Sequence, residues 1–236
     1  MNSLKTDKII EIKGWRNPVL SEDAKIQICR IAEESFPPEE REPCDVLIKS
    51  IQEGKGILYT ASAGNIIRGF TKLTPLGKTG IYLMEYLAVD KSSRNLGIGG
   101  KILQFIKKDL DATKDAGIIL EVEPPDEATG NEKEIRQRRI RFYLQNGALL
   151  VLDGGTYRMP NLAGEGSLPM HLIWLPIKEG RRIPEALTLV QLFTLIFTET
   201  YPGTESKTLL NTIINAIPDR NAPIELEENQ EGNPSS

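Results

Sequence analysis

Arg94-Asn95-Leu96-Gly97-Ile98-Gly99-Gly100 stands between an apolar run that ends at Val89 and a helical stripe made by Ile102, Leu103, Ile106 and Leu110. Glycines in such a window let a backbone approach a ligand closely, and the first N–H groups of the following helix, with its dipole, favour a phosphate or pyrophosphate. The segment therefore reads as a diphosphate cradle. Its surroundings narrow the meaning. A dinucleotide-binding fold carries its glycine loop after the first strand of a parallel sheet, whereas here three strand-like runs with hairpin signals come first, at residues 57–63, 66–73 and 81–89. No Gly-Lys-Ser/Thr ending follows, which disfavours a Walker-type nucleotide site.

Working outward, residues 98–113 predict a helix and residues 118–123 a strand, so strand, loop, helix and strand follow one another and imply a right-handed crossover. Pro124-Pro125 ends that strand. Residues 131–146 predict a charged helix with Ile135, Ile140 and Tyr143 inward, closed by Gly147. Residues 149–152 and 171–175 predict an antiparallel pair of strands. Before the hairpins, a first strand is expected near residues 9–12, then a helix capped at Ser21, stopped by Phe36-Pro37-Pro38, and a short helix with Cys44, Leu47 and Ile51 on one stripe.

Beyond Lys178 an appendage begins. Residues 186–200 are apolar almost all round yet too few to cross a bilayer, which takes about 20, so they must be buried against protein. Leu210, Ile213, Ile214 and Ile217 form a one-sided helix. The expected organisation is a main domain over 1–177, a helical extension over 178–222 and an acidic, disordered tail over 223–236. The extension is expected to cap the domain or to build a homodimer interface.

Composition removes several function classes. The formal charge is −4, but Glu225, Glu227, Glu228 and Glu231 sit in the tail with no Lys or Arg, leaving the rest formally neutral. That is not the electrostatic footprint of a nucleic-acid binder. Cys29 and Cys44 lie far from the lone His171, which speaks against a zinc site, and a disulfide scaffold is not expected; Cys44 reads as a buried thiol. Residues 1–13 match neither a signal nor a transit peptide, so the expectation is a cytoplasmic protein that neither crosses membranes nor binds nucleic acid, and whose chemistry uses no metal.

Four stretches, in this order, resemble the GNAT superfamily of acyl-CoA-dependent N-acyltransferases: Glu85-Tyr86-Leu87-Ala88-Val89, Arg94 to Gly99, Leu120-Glu121-Val122, and Phe142-Tyr143-Leu144-Gln145-Asn146-Gly147. Arg94 to Gly99 is similar to the family's Arg/Gln-x-x-Gly-x-Gly/Ala pattern. The resemblance covers about residues 9–176 and departs from the family at Ala148, where an aromatic is usual, and at residues 124–130, which lengthen the link from Glu121 to Tyr143. It implies an α/β (α+β) fold with a mixed central sheet flanked by helices. It also implies acetyl transfer from acetyl-CoA to a primary amine, carried by a small molecule, a protein or a peptide.

On that resemblance, the diphosphate of acetyl-CoA sits on Arg94, Asn95, Leu96, Gly97, Ile98, Gly99 and Gly100, and the pantetheine arm lies along Leu87, Ala88 and Val89. An amine with a pKa of about 10.4 must lose a proton before it can attack. Glu121 matches the position of the base in ribosomal-protein N-acetyltransferase-like relatives, its alternative being a buried carboxylate bonded to backbone or to an arginine such as Arg138; Glu85 is the rival, with a structural or substrate-anchoring role as its alternative. Glu123 shares the face of Glu121 by strand alternation. Tyr143 matches the general acid; its bland alternative is a core tyrosine. Arg138, Arg139 and Arg141 read as a solvated helix face or as a contact for the 3′-phosphate of CoA. A module of the same fold that binds or senses acyl-CoA without turnover is the other function the glycine loop would serve.

Overall fold

The structure is a computed structural model that describes residues 10–111 and 116–227. The fold is mixed α/β, as the sequence predicts, and the described residues divide into two compact units.

The first unit takes residues 10–74, 84–109 and 162–164. Its elements are β1 (Glu11–Arg16), α1 (Glu22–Glu33), α2 (Cys44–Gln52), β2 (Ile57–Ala63), most of β3 (Ile66–Pro75), the end of β4 (Ile81–Val89) and α3 (Ile98–Asp111). β1 pairs antiparallel with β2 and β2 with β3, and a register shift falls between Ala61 and Ser62. Ser21 caps α1 by accepting from the Ala24 N–H at 3.2 Å. Ile28, Ile31 and Ala32 of α1 and Leu47, Ile48 and Ile51 of α2 close over Leu58, Ile67, Phe70, Tyr86 and Ala88, and this cluster is the core of the unit. Cys29 and Cys44 are joined as a disulfide, which corrects the expectation of a lone buried thiol. The reason is geometric: α1 and α2 lie side by side on the core, bringing the two Cα atoms to 5.6 Å, within the range a disulfide spans.

The second unit takes residues 75–83, 110–161 and 165–227, apart from those not described. It contains β5 (Gly117–Val122), α4 (Gly130–Gln145), β6 (Leu149–Leu152), β7 (Arg158–Pro160), β8 (Ser167–Pro169), β9 (His171–Pro176), α5 (Leu189–Thr200), α6 (Thr204–Ala216) and β10 (Glu225–Leu226). The strand order is β5-β9-β6-β10, and each neighbouring pair is antiparallel. Gly147 ends α4 at φ 85°, as its position predicts. Trp174, fully buried on β9, lies over Gly117 so closely that a Cβ there would stand 2.3 Å from the ring.

One finding bears on the expected acidic tail. Glu225 and Leu226, expected in a disordered tail, pair with Leu152 and Val151 of β6; the rest of the tail, 228–236, lies outside the described residues, as does Ile9. The residues of the helical extension fall in the second unit. Leu192, Phe193, Ile196 and Phe197 of α5 are buried within the chain, which is where its nearly all-round apolar character is absorbed. Among the described residues no helix is long and apolar enough to cross a membrane.

Candidate active site

The chain leaves β4 at Val89 and turns at Asp90, whose N–H donates to the Arg68 carbonyl at 2.8 Å. The Asp90 carboxylate accepts from the Ser92 N–H at 3.0 Å, from the Ser92 hydroxyl, and from the Arg30 guanidinium at 2.5 Å. Burial alone would raise this carboxyl, but the bonds from Ser92 and Arg30 hold it below the ordinary aspartate range. Arg94 then ties the loop to the end of α1, donating from Nε to the Val89 carbonyl at 3.2 Å and from its guanidinium to the Glu34 carbonyl at 3.4 Å and Ser35 Oγ at 3.2 Å.

Past this anchor, Asn95 at φ 64° and Gly97 at φ 73° are both left-handed, and the Lys101 N–H closes onto the Gly97 carbonyl at 3.1 Å as α3 begins. The N–H groups of residues 98–100 are thus the first turn of a helix, without acceptors inside it. A Cβ built on Gly97 would meet nothing within 4 Å, and Leu96 is 66% exposed. An open approach, left-handed backbone and a helix N-terminus together are what a bound diphosphate requires. Behind the loop, a Cβ on Gly69 would stand 2.9 Å from the Ala88 carbonyl and 3.3 Å from Ile102, so β3 carries glycine where α3 and β4 press closest.

Leu87, Ala88 and Val89 form the end of β4, leading directly into this loop. Glu85, two residues before Leu87, is engaged: its Oε1 accepts from Lys72 at 2.5 Å and from the Thr74 hydroxyl. Lys72 and Glu85 are both buried, and Glu42 stands in their field, its carboxyl raised by burial against the opposing pull of Lys72.

Glu121, on β5 in the second unit, accepts from the Tyr157 hydroxyl at Oε1, 2.5 Å, and from the Tyr201 hydroxyl at Oε2, 2.7 Å. Glu123, which strand alternation places on the face of Glu121, forms ion pairs with Arg136, at 3.9 Å, and with Arg139 of α4. Tyr143 is buried on α4, and burial, countered in part by Arg139, pushes its phenol up to about 12. His171 lies on β9 opposite Val122.

Sequence reasoning missed Lys72, Tyr157 and Tyr201. Lys72 sits in an apolar strand, where a buried lysine needs a partner, and that was a readable signal. The two tyrosines reach Glu121 from 36 and 80 residues away, and no local pattern announces such contacts.

Residues 54–147 match the family model described as an acetyltransferase (GNAT) domain. A curated relative, "Putative acetyltransferase YjbC" of Bacillus subtilis (strain 168), is 34% identical over 98 residues, which are 41% of this chain and 46% of that protein. The chain thus matches about half the length of that relative. Among solved structures, a "Putative acetyltransferase from GNAT family" of Bacteroides thetaiotaomicron superposes with a TM-score of 0.55 at 25% identity, covering 70% of this chain and 86% of that one. An aminoglycoside 6′-N-acetyltransferase complexed with coenzyme A superposes with a TM-score of 0.53 at 17% identity, covering 71% of this chain and 97% of its own, and this likeness is one of fold.

Proposed function

From the GNAT acetyltransferase domain that this chain carries over residues 54–147, we propose that the protein is an enzyme that moves an acetyl group from acetyl-CoA directly to a primary amine. The observation that carries the reading is the open loop at Asn95 and Gly97 leading into the first turn of α3. Acetyl-CoA, when bound, supplies a thioester carbonyl; a C–N bond forms as the C–S bond breaks, and the nitrogen gives up one proton for the one the sulfur finally takes.

The chain's own residues divide that work. Gly97, with the N–H groups of residues 98–100, holds the diphosphate, while the end of β4 from Leu87 to Val89 offers backbone to the pantetheine amides. Glu121 takes the amine's proton. Glu85, already receiving Lys72 and Thr74, anchors the core and serves the reaction less directly. Tyr143, pushed up to about 12, stays protonated at every working pH. A thiol of ordinary pKa about 8.5 is the stronger acid, so this phenol stabilises the departing sulfur by a hydrogen bond rather than by complete transfer.

Thiol release from acetyl-CoA over a panel of amino acids, polyamines and peptides with free N-termini tests the proposal. Turnover with at least one amine is expected. Saturable acetyl-CoA binding with no release across the panel would instead favour a sensing module.

A further inference from the structure

The C-terminal extension does more than cover apolar surface. Thr188 caps α5 in a reciprocal box with Gln191, and the helix ends where the Tyr201 N–H donates to the Phe197 carbonyl at 3.1 Å. Phe193 and Phe197 bring their rings to 4.9 and 6.3 Å from Tyr157, and Phe197 lies 5.6 Å from Tyr201. One aromatic ladder therefore fixes both phenols that reach Glu121. Tyr157 is fixed from its other side as well: its N–H donates to Asp153 Oδ2 at 2.9 Å, and the Gly155 N–H donates to Oδ1 at 2.9 Å, locking the turn that presents it. Tyr157 is fully buried, and burial together with the charge of Glu121 holds its phenol far above the ordinary value, so it remains a donor.

We propose that Tyr157 and Tyr201 are positioning residues for Glu121, setting the plane of its carboxylate and favouring its ionised form, so that α5 is part of the catalytic apparatus. The proposal rests on the reading of Glu121 as the base. Hydrogen bonds donated to the ionised form of an acid lower its proton affinity. Two phenols on opposite oxygens therefore keep Glu121 ready to accept a proton at pH values where it would otherwise already hold one. Among the described residues, other charged or titratable groups on the surrounding elements include Glu123 beside it, Asp153 behind Tyr157, Arg158 on β7, Arg136, Arg138, Arg139, Arg141 and Tyr143 with Glu132, Lys133 and Glu134 on α4, His171 on β9 and Glu199 on α5. A tyrosine-to-phenylalanine change leaves all of these in place and removes one donor.

The test uses the full chain as wild type, Tyr157→Phe, Tyr201→Phe, the double variant and Glu121→Gln. The Glu121 carboxyl carbon is followed by NMR in protein labelled at glutamate side chains, assigned by its loss in Glu121→Gln. The acid limb of turnover is measured by thiol release with the best amine of the panel. The midpoint and the acid limb should both rise by about half a pH unit or more in each single variant, and further in the double. Folded variants whose midpoint and limb stay at wild-type values would overturn the positioning role alone. An acid limb preserved in Glu121→Gln would overturn the base assignment and, with it, the proposal.

Discussion

Lys72 Nζ lies 2.5 Å from Glu85 Oε1, with the two side chains only 5% and 8% exposed. A buried ion pair of this kind gains little over an apolar pair of the same shape, but either partner left alone keeps an uncompensated charge in a poorly solvated place. The Thr74 hydroxyl on the same oxygen adds a donor that would remain if Lys72 were removed.

Lys72→Met should therefore destabilise the fold by about 3–5 kcal/mol, and Lys72→Met with Glu85→Leu should recover most of that loss. Urea unfolding of the three proteins measures both. A double variant as unstable as the single one would show that the pair is needed for more than its own neutralisation.

Asp90 sets an acid dependence. Its folded carboxyl is held below the unfolded value, so the stability it contributes is full above about pH 4 and is lost as pH falls through the folded value. Asp90→Asn should be less stable than wild type at neutral pH, with the gap closing below about pH 4. Thermal unfolding between pH 3 and 7 follows it, and a gap that widens on acidification would contradict the sign.

Gly69→Ala should cost about 1–3 kcal/mol, because the new Cβ would press on the Ala88 carbonyl, which is backbone, and on Ile102. Since α3 would be pushed away from β3 and β4, acetyl-CoA affinity should fall as well. Calorimetric titration alongside urea unfolding checks both, and unchanged values for each would mean that α3 tolerates the shift.

Much of this was legible in the sequence because the signals were local. Ser21 caps α1, Gly147 closes α4, and the glycine loop stands where strand and helix periodicity meet. The short hairpin of β7 and β8 was not legible, since three-residue strands carry too little alternation to read. β10 was hidden in an acidic tail whose composition outweighed two residues of pairing. Glu121 was picked out from the sequence, but its environment was not, because Tyr157 and Tyr201 are placed by tertiary packing on Phe193 and Phe197.

Tyr143→Phe keeps the ring contact with Phe142 and deletes the donor. Acetyl-CoA affinity should hold while turnover falls by about tenfold to a thousandfold, the usual scale of acid–base contributions. Binding and turnover measured together decide it. Loss of affinity with unchanged turnover would place Tyr143 in cofactor binding instead.

At Gly97 open space lets a larger side chain stand without a clash, although φ 73° adds a modest strain. Isothermal titration of acetyl-CoA into wild type and Gly97→Glu is the most direct measurement. Saturable binding is expected for wild type and a loss of at least about a hundredfold for Gly97→Glu, from the added side chain and its charge against the diphosphate. A folded Gly97→Glu protein that binds acetyl-CoA as wild type does would contradict the placement of the diphosphate on this loop.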